Sequence, residues 1–219
     1  MRKVLNRLRT INAIRPQIVL HHKPIQPQQH RQTSVNNRGK NQLRIIGGEW
    51  KRRMLPFADI EGLRPTPDRV RETLFNWLMW DVQNAKVLDL CAGSGALSFE
   101  ALSRGARHVV MIEPNATQAK FLKDNITLLK AENCQLKVQT AQQALSSLNE
   151  QFDLVFLDPP YSLNLWNELA EKVDPLLAND ALIYVEADCP LHQLKLPTTW
   201  QLQKQTKAGV VQAGLFKKI

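Results

Sequence analysis

Residues 86–113 read KVLDLCAGSGALSFEALSRGARHVVMIE, and this stretch decides the fold. Lys86 to Leu90 is a short apolar run carrying the acid Asp89. Gly93 and Gly95 follow at once, where the chain must turn tightly and let a ligand approach the backbone. Residues 97–104 have a helical pattern, with Leu97, Ala101 and Leu102 on one side. Val109 to Ile112 is a second buried strand, closed by Glu113. Strand, glycine turn, helix, then a strand ending in an acid is the layout of a nucleotide-type cofactor site. Open backbone N–H groups meet one end of the ligand, and Glu113 is placed to accept both hydroxyls of a ribose.

The turn has two readings. Gly93-Ser-Gly95-Ala-Leu-Ser98 nearly matches a dinucleotide fingerprint, with Ser98 at the third small position, and a purely structural turn has the same composition. Asp89 separates the possible cofactors. An acid before the turn repels a pyrophosphate and suits an ammonium group, such as the methionine end of S-adenosylmethionine. The expected cofactor contacts are Asp89, Cys91, Ala92, Gly93, Gly95 and Glu113, with Cys91 a small packing residue in the turn.

Downstream, helices and strands alternate. A helix is expected over 115–130, a third strand over 135–139, and a helix from Ala144. Ala141 lies in the loop between them, either under an adenine ring or in an ordinary connection. Phe152 to Leu157 is a fourth strand, 164–177 a helix, and Ala181 to Glu186 a fifth strand. Residues 199–207 and 210–217 read as an antiparallel hairpin around Gly209. The fold expected is α/β and Rossmann-like, a mostly parallel sheet with an antiparallel edge hairpin. Its ligand crevice falls at the carboxyl ends of the first and fourth strands.

The 219 residues suit one domain with an appendage. No apolar run is long enough to cross a membrane. Three scattered cysteines, Cys91, Cys134 and Cys189, argue for free thiols in a reducing, cytoplasmic setting and against a bound metal. Residues 1–42 hold nine Lys/Arg and no Asp/Glu, whereas 43–219 hold 20 of each, so the net charge of +9 belongs to the N-terminal stretch. That stretch reads as a disordered basic tail: an RNA-binding arm, an organelle presequence, or a product of an unused upstream start.

Two further segments precede the glycine turn and form, over 43–80, a hairpin and a helix; the main domain is 81–219. Residues 43–57 are expected as a hairpin turning at Gly47-Gly48. Arg44, Lys51, Arg52 and Arg53 crowd it, with Trp50 beside them. The set suits phosphate contact and base stacking, or else a solvated charged face. Residues 63–80 read as a helix with Thr66 as N-cap and Pro67 at its first position. Arg64 and Arg69 near its start are candidate RNA contacts. Arg71 is expected to pair with Glu72 or Asp68 on the surface.

The sequence Asp158-Pro159-Pro160-Tyr161 closes the fourth strand. Two prolines cannot continue a ladder, so they stiffen a loop beside the crevice. This suits methylation of an exocyclic amine, whose lone pair is delocalised into the base. Asp158 and the Pro159 carbonyl can accept its two N–H bonds and aim the lone pair, while Tyr161 stacks on the base. Asp158 thereby lies at both the substrate and the cofactor.

Together, Asp89 to Leu97, Asp158-Pro-Pro-Tyr161, Arg44-Ile-Ile-Gly-Gly-Glu-Trp50 and Leu63-Arg-Pro-Thr-Pro-Asp-Arg-Val-Arg-Glu-Thr-Leu-Phe-Asn-Trp77 resemble the RsmD family. The resemblance covers about 43–219. It implies the class I S-adenosylmethionine-dependent methyltransferase fold, with 16S ribosomal RNA as partner in the small subunit or a late assembly particle. It further implies transfer to N2 of guanine 966. Cys91 departs from a broader methyltransferase pattern, which has glycine there. Two other classes use the same features: an adenine-N6 methyltransferase, and a non-catalytic RNA-binding assembly factor.

Overall fold

The computed structural model describes residues 41–219; the basic tail expected over 1–42 lies outside the described residues apart from its last two. In chain order the elements are β1 (Gln42–Arg44), β2 (Met54–Pro56), α1 (Asp68–Trp77), β3 (Lys86–Asp89), α2 (Ala96–Ser103), β4 (His108–Ile112), α3 (Ala116–Leu129), β5 (Cys134–Lys137), α4 (Ala141–Leu145), β6 (Phe152–Leu157), α5 (Trp166–Val173), β7 (Leu177–Ala187), β8 (Trp200–Ala208) and β9 (Val211–Lys218).

Successive residues of the central strands face opposite ways, and this divides the core in two. Val87, Val109, Leu154 and Phe156 pack with α1, α2, α3 and the N-terminal strands. Leu88, Val110, Val155 and Leu157 pack with α4 and α5. The sheet has seven strands in the order β5-β4-β3-β6-β7-β9-β8. β3 pairs in parallel with both β4 and β6, so the chain leaves it in opposite directions and opens a crevice at that point. β9 lies antiparallel between β7 and β8.

Register brings the acids to one edge. Asp89 is level with Met111 and Phe156, two residues before Glu113 and Asp158. Leu157 is level with Val185, so Asp158 and Glu186 emerge side by side.

Several boundaries differ from the sequence expectation. Ala141, expected in the loop before a helix from Ala144, is the first residue of α4, because Thr140 and Gln143 form a capping box there, and β5 ends at Lys137 rather than 139. The helix expected over 164–177 ends at Val173, because Pro175 follows within a short 3-10 turn at Asp174–Leu176. β7 begins at Leu177 rather than Ala181 and its register against β6 slips, with Asp180 in the left-handed region. That irregularity hides the first half of the strand from a period-2 pattern. α1 spans Asp68–Trp77, and Thr66 does not cap it.

The N-terminal hairpin is also built differently. β1 and β2 pair, the backbone bonding continues to Ile45 and Arg53, and Gly47-Gly48 lie within a longer connection whose turn closes from the Lys51 N–H to the Gly48 carbonyl, rather than forming a tight two-residue turn. The glycines permit a close approach instead. Gly48 has φ +75°, and a Cβ there would lie 1.8 Å from the Ser103 carbonyl oxygen at the end of α2. The Glu49 N–H donates to that same oxygen, and the Trp50 N–H donates to Ser103 Oγ. Trp50 is therefore core rather than a platform for a base: it is 8% exposed, because its backbone is fixed on α2 and its ring turns inward.

Candidate active site

Asp89 ends β3 and is buried. Its Oδ2 accepts the Ser98 hydroxyl at 2.6 Å and its Oδ1 the Cys91 N–H at 3.4 Å. Ser98 thus serves the acid. Burial, against the pull of these two bonds and helped by the Glu113 charge, raises the Asp89 carboxyl to about 6.

The turn itself is held between its neighbours. The Leu90 N–H donates to the Phe156 carbonyl and the Ala92 N–H to the Ile112 carbonyl. Gly93 has φ +51° and Gly95 φ +81°. A Cβ on Gly95 would meet the Phe99 ring at 2.4 Å and Leu122 at 2.8 Å, so this glycine is fixed by packing as well as by conformation. Cys91 is half-buried beside three carboxylates, and burial together with Asp89, Asp158 and Glu113 pushes its thiol well up. That makes it a poor nucleophile.

Glu113 is not free in the way the sequence suggests. Its Oε2 accepts the Gly93 N–H at 3.0 Å and its Oε1 the Asn115 N–H at 2.8 Å. One lone pair on each oxygen remains for a ligand. Burial raises this carboxyl too. Ala141 begins α4, buried behind the Thr140–Gln143 capping box.

Asp158 follows β6 and is half-buried. Burial, then the charges of Glu186 and Asp89, push its carboxyl well up, while the Thr66 hydroxyl acts in the other direction. Leu63 reaches the turn as well, 3.1 Å from where a Gly93 Cβ would stand. Residues 63–66 therefore lie along the crevice. Pro159 is buried and Pro160 exposed. Tyr161 is half-buried; its hydroxyl donates to Glu186 Oε1 at 3.1 Å and its ring packs on Trp166, 5.9 Å away and tilted by 35°.

Two side chains at this edge are ones that sequence reasoning missed or misplaced. Glu186 closes β7 as Glu113 closes β4, and that shared position, an acid ending a buried strand, is the signal that identifies it. Thr66 was expected to cap a helix and instead stands beside Asp158. Capping residues and site hydroxyls have the same composition, so only the packing distinguishes them.

The basic residues divide. Arg64 and Arg69 are exposed and flank Thr66 at the crevice. Lys51, Arg52 and Arg53 are exposed on the loop that docks on Ser103. That is the far end of α2, about 10 Å along the helix from the glycine turn. Arg44 is exposed and paired with Asp68 at 2.8 Å. Arg71 is not on the surface; it is fully buried and bonded to Asp68 and to the carbonyls of Thr66 and Arg44. A groove of about 690 Å³ opens away from the acids, lined by Trp50, Arg53, Asn84, Arg107, Lys130 and Asn133 at the amino ends of the strands.

The donor set fits a cationic ligand. Asp89, Glu113, Asp158 and Glu186 converge, and among the described residues none of them is in an ion pair. Carboxylates held together without a cation resist ionisation, and a positive ligand relieves that cost. Among the described residues no group of three or more His, Cys, Asp or Glu side chains is arranged to hold a metal, and no helix is long and apolar enough to cross a membrane.

Sheet order, crevice and acid set define a Rossmann-like class I methyltransferase fold. The structure of SMU.776 complexed with SAH has this fold, with a TM-score of 0.57 at 17% identity over 68% of this chain and 48% of that one. The family model described as "Conserved hypothetical protein 95" matches residues 43–217. Ribosomal RNA small subunit methyltransferase D of Escherichia coli K12 is 41% identical over 185 residues, 84% of this chain and 93% of that protein. The solved structure of Escherichia coli yhhF superposes with a TM-score of 0.76 at 39% identity, covering 81% of this chain and 98% of that one. The chain belongs to this family, the RsmD family of methyltransferases.

Proposed function

We propose that this chain methylates the exocyclic N2 amine of a guanine in 16S ribosomal RNA, acting in the cytoplasm on the small subunit or a late assembly particle. The observation that carries the reading is the Asp158-Pro159-Pro160-Tyr161 loop standing at the end of β6, next to the Asp89–Gly95 turn across the switch between β3 and β6. The relatives named as small-subunit ribosomal RNA methyltransferases supply the substrate class.

Asp89, Cys91, Ala92, Gly93, Gly95, Glu113 and Ala141 hold the cofactor: Asp89 its ammonium end, Glu113 its ribose, Ala141 the edge of its base. When bound, S-adenosylmethionine supplies an electrophilic methyl group on a positively charged sulfur. Asp158 and the Pro159 carbonyl accept the two N–H bonds of the amine and hold it with its lone pair out of the ring plane. Tyr161 stacks on the base and sets its depth. As N2 gains its bond to carbon it must lose one proton, and Asp158 is the base that takes it.

The testing experiment is transfer from labelled S-adenosylmethionine to unmethylated small subunits, protein-free 16S RNA and a DNA control, followed by nucleoside digestion. N2-methylguanosine from the subunit is expected. N6-methyladenine would overturn the choice of base, and absence of transfer despite cofactor binding would favour a binding factor.

Two expectations follow from the placement of charge. An ammonium group binds Asp89 only when it is ionised, and its carboxyl titrates at about 6 in the ligand-free protein. Affinity for S-adenosylmethionine should hold above that pH and fall by up to about tenfold per unit below it. Calorimetry across pH 5–8 checks this, and a flat profile would remove Asp89 from the ammonium. The basic residues Arg44, Lys51, Arg52, Arg53, Arg64 and Arg69 are proposed to contact RNA. Replacing Arg52 and Arg53 with Glu should weaken binding of the RNA substrate and flatten its salt dependence by about two counterions. An unchanged slope would return that loop to a plain charged surface.

A further inference from the structure

The residues just described leave one buried charge at the site without a task. Glu186 is 3% exposed, and among the described residues it pairs with no cation. Its Oε1 accepts the Tyr161 hydroxyl at 3.1 Å and its Oε2 the Tyr184 hydroxyl at 2.6 Å. Its backbone carbonyl accepts Trp166 Nε1–H at 2.7 Å, and Trp166 is the ring on which Tyr161 packs. Tyr184 is itself wedged edge-on against Phe156 of β6. The loop beyond Tyr161 gives little other hold: Ser162, Leu163 and Asn164 are all exposed.

We propose that Glu186 is a positioning residue for the transfer, its carboxylate clamping the Tyr161 ring as one wall of the slot that the target base enters. This rests on the reading of Asp158 and Tyr161 as the substrate loop. A glutamine has one oxygen in place of two, so only one of the two phenol O–H groups would keep its acceptor and the clamp would lose an arm. The carboxylate's charge also reaches a neighbour. The titratable groups around it are Asp158 from the end of β6, Asp89 from β3, Tyr184 from β7, Tyr161 from the loop and the exposed Asp188 beyond β7, with the Thr66 hydroxyl on the far side of Asp158. The two phenols already donate to Glu186. Asp158, one strand away, is the group whose basicity Glu186 increases when ionised, and burial raises the Glu186 carboxyl as well, so the two carboxyls share the cost of ionising.

The test is Glu186→Gln in the full chain, with Asp158→Asn in parallel. Cofactor affinity should stay within about threefold, and kcat should fall about tenfold or more. In cofactor-free protein labelled with 13C-aspartate, the Asp158 carboxyl should titrate at lower pH than in the wild type. The acid limb of the kcat profile should move the same way. A purely structural role would lower kcat and leave that titration in place. Wild-type kcat, or an unmoved titration, would overturn the proposal. If Glu186→Gln does not fold, Tyr161→Phe decides: it keeps the ring and removes the clamp, so kcat should fall at unchanged cofactor affinity, and a wild-type rate overturns the clamp. An active Asp158→Asn would instead sink the underlying reading of the loop, whatever Glu186 does.

Discussion

Replacing Asp158 with alanine should abolish methyl transfer while cofactor binding survives. The residue stands at the end of β6 on a loop stiffened by Pro159 and Pro160, so its carboxylate is held in place before any substrate arrives. Its proposed task is to accept an N–H bond and then a proton, and alanine does neither. Positioning and proton acceptance together are worth about 10²–10⁴-fold in rate. Asp89 and Glu113 remain to hold the cofactor, so affinity for S-adenosylmethionine should change by less than about tenfold. Single-turnover transfer and calorimetry on one preparation separate the two effects. A loss of affinity as large as the loss of rate would make Asp158 a cofactor ligand rather than the substrate's base.

The second large effect concerns stability. Arg71 is fully buried and uses its whole guanidinium. Nε donates to the Thr66 carbonyl at 3.1 Å, one terminal nitrogen to the Arg44 carbonyl at 3.0 Å, and the other to Asp68. The nitrogen on Arg44 is also 3.7 Å from Glu100, a carboxylate with no exposure. Glu100 in turn accepts the N–H groups of Ile46 and Gly47 and the Arg104 guanidinium. This network joins β1, α1 and α2. Arg71→Ala leaves a buried carboxylate short of a cation and two buried carbonyls without donors. Such losses cost about 3–5 kcal/mol, or about 10 °C in Tm for a domain of this size. Lysine cannot reproduce the planar fork, so Arg71→Lys should recover only part. Thermal unfolding of the three proteins is the check; a loss below about 1 kcal/mol for alanine would show that water replaces the network. Because Arg71 also holds the Thr66 carbonyl, the alanine variant should lose rate well below its melting point.

Much of the candidate site is legible in the sequence. Asp89, Gly93, Gly95, Glu113 and Asp158 are read from local pattern, and the parallel sheet brings all five to one edge. They are legible because strand ends and tight turns constrain residue type locally. Arg71 is legible only in part: its pairing with Asp68 is local and holds, but in the run Asp68-Arg-Val-Arg71-Glu72 nothing local distinguishes a surface cation from a buried one, and Glu100, the buried carboxylate beside it, is 29 residues away. Trp50 failed for the same reason. An aromatic among arginines looks like a stacking platform until the docking of its backbone on Ser103 turns the ring inward.

The sequence alone determined the order of strands and helices, the glycine turn and the acids at the ends of β3, β4 and β6, because alternation, turn conformation and proline stiffness act over a few residues. Only the tertiary structure decided what those acids face. It placed Glu186 beside Asp158, set Thr66 against Asp158 and gave each oxygen of Glu113 one backbone N–H to accept. Burial and like-charge repulsion depend on neighbours far away in the chain, and no local pattern carries that information.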